Sequence, residues 1–316
     1  MKSLFRIVGI LVGLLLIAGL VGIGLAWAPD RPVSALRGRW APPPSVFVEV
    51  AGMAVHLRDE GRRDDPVPLV LLHGTSASLH TWDGWVAEIG PARRIIRLDL
   101  PGFGLTGPFA GGDYTVPSYV RFVRTLLDQM GVGRCVLAGN SFGGNIAWAL
   151  AAAFPERVER LILVDSGGYP LMARSVPIGF RIARMPVLNQ LGRFILPRRL
   201  IASSLRNVYG DPDKVTSALI DRYYELTLRQ GNRLAVAERL RQAPAGSMVE
   251  QIATVKQPTL ILWGEKDRLI PPELAERFHH DIAGSQVVMF PALGHVPHEE
   301  DPAATAAAVK AFVGTR

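Results

Sequence analysis

Short runs of apolar residues alternate with helix-type segments from about residue 68 to the end of the chain. Runs of four to six apolar residues are typical of strands buried in a parallel sheet. Strands that alternate with helices form a mostly parallel sheet covered by helices on both faces, so the pattern predicts an α/β fold. The runs that predict strands are residues 69–72 (LVLL), 135–138 (CVLA), 161–164 (LILV), 258–263 (PTLILW) and 286–290 (QVVMF).

The first 28 residues have a different pattern. Residues 7–28 carry no charge over 22 positions, and a helix of that length is about 33 Å long, enough to cross the hydrocarbon core of a bilayer. Lys2 and Arg6 precede the run. We therefore expect residues 1–28 to be a transmembrane helix, a single-pass membrane anchor, with the folded domain that follows it on the extracytoplasmic side. A signal peptide cleaved after the A-W-A pattern at 26–28 is the alternative.

The remaining chain is predicted to divide into a linker, a core and an insertion. Five prolines and three arginines predict a semi-extended linker over residues 29–45. About ninety residues separate the strands that end near Asp165 and begin at Pro258, which is too many for a simple helical crossover. The predicted divisions are the anchor 1–28, the linker 29–45, the first part of the core 46–168, a helical cap 169–256 and the second part of the core 257–316.

Positive charge is concentrated in the predicted cap. Residues 169–256 contain 14 Lys or Arg and 6 Asp or Glu, a net charge of +8, whereas the whole chain has +7. The stretch 169–206 has seven arginines, no acid and many apolar residues. It predicts a basic amphipathic surface that contacts anionic lipid; the alternative is a cap with its arginines in water. No recognition motif accompanies these charges, and we expect no nucleic-acid partner.

Residues 139–143 (GNSFG) form a G-x-S-x-G pattern around Ser141. The apolar run 135–138 precedes it, and the alanine-rich, helix-type run 145–153 follows it. A serine at a tight strand-to-helix turn is a nucleophile elbow. The glycines allow the sharp turn, and the start of the helix directs its N–H groups at negative charge forming beside the serine.

An acid and a histidine follow two later strands. Asp267 lies just after the run 258–263, and His295 lies just after the run 286–290. The carboxyl ends of parallel strands meet at one edge of the sheet, where open α/β sheets hold their sites. The order Ser141, Asp267, His295 is the order expected with a nucleophile elbow. Asp165, at the end of the run 161–164, is the alternative acid.

These motifs together resemble those of the alpha/beta-hydrolase fold family, over roughly residues 45–314. The resemblance implies an alpha/beta-hydrolase fold, with a mostly parallel eight-stranded sheet, helices on both faces and an inserted helical cap. The segments that carry it are the oxyanion segment 73–75 (HGT), the loop 99–104 (DLPGFG), the elbow 139–144 (GNSFGG), the acid loop 263–271 (WGEKDRLIP) and the histidine loop 294–300 (GHVPHEE).

Residue chemistry and the resemblance together predict a mechanism. Ser141 is the expected nucleophile, His295 the general base and acid, and Asp267 the group that orients the imidazole. The backbone N–H groups of Phe142 and Thr75 are the expected oxyanion donors. The mechanism needs no cofactor and no metal, and we expect neither.

The serine at the elbow narrows the range of reactions that the chain is expected to catalyse. Epoxide hydrolases and haloalkane dehalogenases resemble the chain in layout but use Asp at the elbow. The elbow is similar to that of hydrolases that cleave carbon–carbon bonds of ring-cleavage products, but those carry Gly-Pro-Gly where this chain has 75–78 (TSAS). We therefore expect a serine esterase, lipase-like, that acts on small-molecule or lipid esters. The alternatives are a carbon–carbon bond hydrolase, a cofactor-free perhydrolase or acyltransferase, and a hydrolase-like binding protein. The oligomeric state stays open.

His298 follows His295 by three positions and has polar neighbours. It is expected to be a surface histidine without a part in the chemistry.

Overall fold

An eight-stranded sheet in the order β1-β2-β4-β3-β5-β6-β7-β8 forms the centre of the protein. It is seen in a computed structural model that describes residues 2–170, 173–185 and 192–314. The pairs β1–β2 and β2–β4 are antiparallel, and the other five pairs are parallel. The predicted mostly parallel α/β sheet is thus confirmed. The strands are β1 Val46–Val50, β2 Met53–Gly61, β3 Leu69–Leu72, β4 Arg94–Leu98, β5 Cys135–Asn140, β6 Val158–Val164, β7 Thr259–Gly264 and β8 Gln286–Phe290.

The apolar runs are buried on both faces of the sheet. Along β5, Cys135 and Leu137 pack in one hydrophobic cluster, and Val136 and Ala138 pack in another on the opposite face, because successive side chains of a strand point to opposite faces. A strand that is buried on both faces therefore needs apolar residues at every position rather than at alternate positions. The helices that cover the two faces are Asp83–Ile89, Val116–Gln129, Phe142–Ala153, Glu273–Asp281, Pro297–Glu300 and Pro302–Val313.

The described residues between β6 and β7 are mostly helical. The predicted cap lies in this region, and its boundaries at 169 and 256 stay predictions. Residues 171–172 and 186–191 of the predicted basic stretch lie outside the described residues. The described helices are Ile178–Ala183, Arg198–Val208, Ser217–Thr227 and Asn232–Gln242, with 3₁₀ turns at Pro212–Lys214 and Val249–Thr254.

The prediction of a membrane span at residues 7–28 is not supported. Lys2–Ala26 form a helix, but among the residues that the structure describes no helix is long and apolar enough to cross a membrane. The helix also ends before Ala28, because the chain pairs with other residues there: the Ala28 N–H donates to the Phe194 carbonyl at 2.8 Å. Apolar side chains exposed along the helix are Phe5, Ile7, Val8, Ile10, Leu11, Val12, Leu14, Ile17 and Val21.

The prediction of a semi-extended linker at residues 29–45 is wrong for its middle. Val33–Trp40 form a helix, and Leu36 on it is 1% exposed. Leu36 packs against Leu105 and Leu226. The apolar positions 33, 36 and 40 share one helical face. The linker prediction relied on the number of prolines and did not take this pattern into account. This segment therefore belongs to the folded domain.

Replacing Leu36 with alanine should lower the free energy of unfolding by about 2–4 kcal/mol, because it leaves a cavity among buried side chains. Ser34→Ala changes an exposed residue of the same helix and should alter that free energy by less than about 0.5 kcal/mol. Urea unfolding of the two variants and the unmodified protein measures the difference. Equal stability of all three would show that the segment is not docked.

Candidate active site

Ser141 stands in a strained backbone conformation between β5 and the helix Phe142–Ala153. Its φ is 54° and its ψ is −116°, values that a non-glycine residue adopts only when its surroundings hold it there. The Ser141 N–H donates to the Val164 carbonyl at 3.0 Å, and the Gly167 N–H donates to the Ser141 carbonyl at 2.9 Å. These bonds tie the elbow to the end of β6.

The glycines of the elbow are required by close backbone contacts. A Cβ atom on Gly139 would collide with the backbone of Gly143, and a Cβ atom on Gly143 would collide with the Leu72 carbonyl. The helix can therefore start directly behind the end of β3 only with glycine at these positions. This accounts for the G-x-S-x-G pattern in the sequence.

Asp267 and His295 are hydrogen-bonded to each other, with Nδ1 of His295 2.7 Å from Oδ2 of Asp267. The other oxygen of Asp267 accepts from the N–H groups of Leu269 at 2.7 Å and Ile270 at 3.0 Å. Both side chains of the pair are buried. A carboxylate fixed in this way holds the proton on Nδ1 and leaves Nε2 as an acceptor.

Asn140, the residue before the elbow serine, links the elbow to the histidine. Its Nδ2 donates to the His295 carbonyl at 3.0 Å and to the Val164 carbonyl at 3.1 Å. Ser141 and His295 line the same cavity. Within the described residues no hydrogen bond joins their side chains. The sequence analysis did not single out Asn140.

The histidine loop is also fixed to the region between β6 and β7. The buried carboxylate of Glu300 accepts from the N–H groups of Gly294 at 2.9 Å, Gly210 at 2.9 Å and Asp211 at 2.8 Å. The His295 N–H donates to the Val208 carbonyl at 2.7 Å. The imidazole is therefore placed by backbone bonds from two directions.

Asp165, the alternative acid, lies beside this pair. Its carboxylate accepts from the Gly264 N–H at 3.0 Å, and His295 bonds to Asp267 instead. Burial, followed by the negative charge of Asp267, raises the pKa of Asp165 well above its usual range. Ligand atoms of Asp165, Asp267 and His295 lie within 4.8 Å of one another. A carboxyl whose pKa is raised in this way is a weak cation ligand, because metal ligands must be deprotonated.

The two expected oxyanion donors line the cavity together with Ser141. The Phe142 N–H is the first of its helix and has no acceptor within it. Among the described residues, neither this N–H nor that of Thr75 donates to another protein group. His73 fixes the loop before Thr75: its Nδ1 lies 2.7 Å from the Gly74 carbonyl, and its Nε2 accepts from the Leu100 N–H at 2.9 Å.

The surface position predicted for His298 is wrong. Its side chain is fully buried, with its ring centroid 4.0 Å from that of Trp82, and its Nε2 lies 3.0 Å from Oγ1 of Thr81. The short helix Pro297–Glu300 packs this face inward against the 3₁₀ turn Leu79–Trp82. Burial holds the pKa of His298 well below its usual range, so it is a neutral packing residue.

The cavity beside Ser141 has a volume of about 550 Å³, a typical size for a small-molecule site. Its walls combine the elbow and the histidine loop with helices from the region between β6 and β7. Apolar lining side chains from that region include Val176, Phe180, Ile182, Leu200, Leu205 and Val236.

Residues 67–302 match the alpha/beta hydrolase fold family. This chain belongs to the alpha/beta-hydrolase fold family. It is 30% identical over 262 residues to the 2-hydroxy-6-oxo-2,4-heptadienoate hydrolase of Pseudomonas putida, covering 79% of this chain and 88% of that protein. It is also 30% identical over 274 residues to the 2-hydroxymuconate semialdehyde hydrolase of a Pseudomonas species, covering 83% of this chain and 91% of that protein.

Solved structures share the fold of this alpha/beta hydrolase. A meta-cleavage product hydrolase of Pseudomonas fluorescens superposes with a TM-score of 0.73 at 24% identity, covering 85% of this chain and 96% of the other. A membrane phospholipase A, a bacterial virulence factor, superposes with a TM-score of 0.69 at 26% identity, covering 99% of this chain and 98% of the other.

Proposed function

We propose that this alpha/beta hydrolase is a serine hydrolase that cleaves carboxylic esters through an acyl-enzyme intermediate. One observation carries the proposal: an elbow serine and a histidine that is hydrogen-bonded to a buried aspartate line one mainly apolar cavity. An imidazole with Nδ1 bonded to a carboxylate is equipped to take a proton from a serine hydroxyl.

The proposed reaction uses residues that line the cavity. Oγ of Ser141 attacks the ester carbonyl as Nε2 of His295 takes its proton. The N–H groups of Phe142 and Thr75 stabilise the oxyanion, a contribution of about 3 kcal/mol for each donor. The tetrahedral intermediate expels the alcohol, which receives the proton from His295. Water then attacks the acyl-enzyme by the same steps and releases the carboxylic acid.

The surroundings of the cavity favour an acyl lipid as the ester. Apolar side chains line much of its wall. Exposed apolar side chains next to lining residues are Ile178, Met185 and Phe194, and the Phe194 ring stacks on exposed Trp27 with centroids 5.7 Å apart. Exposed apolar patches on a soluble domain mark contact surfaces. The likeness to a membrane phospholipase A along nearly the whole chain supports the same substrate class.

The proposal includes contact with a lipid surface. The exposed apolar side chains along Lys2–Ala26 support it, together with the backbone bonds that join the end of this helix to residues 194–196 beside the cavity. The proposed contact brings lipid to the cavity and requires no helix that crosses the bilayer.

Carbon–carbon bond hydrolysis is the second candidate. It is favoured by two relatives, each 30% identical, whose names describe hydrolases of ring-cleavage products. The same serine, histidine and aspartate fit that reaction. The sequence at residues 75–78 lacks the Gly-Pro-Gly of that class, which is the residue-level reason for placing the ester first.

A comparison of kcat/KM for the two substrate classes tests the proposal. We expect kcat/KM for 4-nitrophenyl esters to rise with acyl length and to exceed kcat/KM for 2-hydroxy-6-oxo-dienoate substrates by at least about tenfold, a preference worth roughly 1.4 kcal/mol. Ester cleavage is followed by the absorbance of the released nitrophenolate, and dienoate cleavage by loss of the dienolate absorbance. A tenfold preference for the dienoate would replace the first candidate with the second.

A further inference from the structure

The cavity contains more positive charge than the proposed ester chemistry needs. Arg184, Arg233 and Arg239 all line it. Arg233 is already paired: it forms an ion pair with Asp30 and donates to the Ala28 carbonyl at 2.8 Å. Its charge is thus neutralised by the segment that follows the N-terminal helix.

Arg239 is not neutralised in this way. Its guanidinium carbon lies 3.9 Å from the centroid of the Phe142 ring, and its buried Nε has no hydrogen-bond partner. Glu238, its neighbour in sequence, bonds instead to Arg241 and Gln242. Desolvation by burial lowers the pKa of Arg239 to about 10. Within the described chain, no carboxylate pairs with this guanidinium.

Arg184 is a second cation that lines the same cavity. It follows the helix Ile178–Ala183, is exposed at the surface and lies close enough to lower the pKa of Arg239 further. No ion pair to Arg184 occurs among the described residues. A desolvated cation without a partner is costly, and a second cation beside it increases that cost. An anion bound by both guanidinium groups would offset the desolvation of Arg239 and the repulsion between the two cations.

We propose that Arg184 and Arg239 bind an anionic group of the substrate, either a carboxylate or a phosphate. Arg239 stacks on the ring of Phe142, which directly follows the nucleophile in the chain and whose N–H is the proposed oxyanion donor. The anionic group is therefore held on the Phe142 side of the cavity, with the acyl chain along the apolar wall. This inference rests on the proposed function for its assignment of the reacting group, and it narrows the substrate to acidic acyl esters.

Matched ester pairs test the site in the full-length enzyme. The 4-nitrophenyl monoester of glutaric acid is compared with neutral 4-nitrophenyl pentanoate, and a 1-acylglycerol 3-phosphate with the corresponding monoacylglycerol. In Arg239→Gln, the ratio of kcat/KM for the anionic ester to that for its neutral partner should fall about 10- to 100-fold, through KM. A fall in only one pair identifies carboxylate or phosphate as the preferred group. If Arg239→Gln also disturbs Phe142, both esters of a pair are affected alike, and that effect cancels in the ratio.

Two further variants make the result specific. Arg241→Gln removes an exposed arginine of the same helix that pairs with Glu238, and both ratios should stay unchanged. Arg184→Gln changes an exposed residue, so the fold is retained, and the ratio should fall severalfold. If neither Arg184→Gln nor Arg239→Gln changes either ratio, the inference is overturned.

Binding of octyl phosphate, measured by calorimetry, separates this inference from the proposed function because it needs no turnover. The dissociation constant should rise at least about tenfold in Arg239→Gln and stay unchanged in Arg241→Gln. An enzyme that cleaves no ester but shows this difference would disprove the proposed function and keep the anion site. Equal binding by the unmodified protein and Arg239→Gln, together with unchanged ratios for both ester pairs, would disprove the anion site alone.

Discussion

Ser141→Ala should abolish covalent labelling by a fluorophosphonate and lower the ester turnover number by roughly 10⁶-fold. The change removes the nucleophilic oxygen and keeps the Cβ atom, so the elbow backbone and its bonds to Val164 and Gly167 are retained. The cavity is unaltered, and substrate binding should change little. Labelling is measured by gel fluorescence, turnover by burst kinetics with a 4-nitrophenyl ester, and retention of the fold by a thermal melt.

Ser166→Ala is the matched control for that variant. Ser166 is fully buried near the elbow, and its hydroxyl donates to the Gly167 carbonyl at 2.8 Å. We expect labelling and turnover close to those of the unmodified protein. Substantial labelling that persists in Ser141→Ala would assign the nucleophile to another residue.

Asp267→Asn should lower the turnover number by about 10⁴-fold with little change in fold. One oxygen would still accept from the Leu269 and Ile270 N–H groups, but the amide NH₂ would then face Nδ1 of His295. The imidazole would accept at Nδ1 and carry its proton on Nε2, the wrong tautomer for taking a proton from Ser141. Single-turnover acylation rates measured across pH report this loss directly.

Asp165→Asn is the natural comparison, because Asp165 lies next to Asp267. Burial and the charge of Asp267 raise the pKa of Asp165 and so favour its neutral form, and a neutral amide of the same shape should change the site little. We expect its acylation rate to fall by less than about tenfold. A larger loss in Asp165→Asn than in Asp267→Asn would assign the orienting acid to Asp165.

The parts of the fold that the sequence predicts are those set by local patterning. The strand predicted at 69–72 matches β3, and 135–138 and 161–164 lie within β5 and β6, because a strand buried on both faces must be apolar at every position. Since parallel strands bring their carboxyl ends to one edge, the meeting of Asp267 with His295 could also be predicted. The number of strands came from the family resemblance.

The parts that the sequence missed depend on contacts between distant segments. Arg239 and Arg241 look alike in sequence, and only the packing of their helix places one beside Phe142 and leaves the other exposed. His298 has polar neighbours but is packed against Trp82. Leu36 lies in a proline-rich segment and is buried by residues 69 and 190 positions later in the chain. No local pattern encodes such burial.

The bonds around His295 have a mechanical consequence. Asn140 joins the elbow to the histidine loop, and Glu300 joins that loop to residues 210 and 211. These bonds fix the elbow, the histidine loop and residues 210 and 211 to one another, and the helix Ile178–Ala183, which lines the same cavity, takes part in none of them. Contact with the substrate by this helix and bond cleavage by the triad are then divided between separate stretches of chain. Evolution can change what enters the cavity without moving the atoms that react.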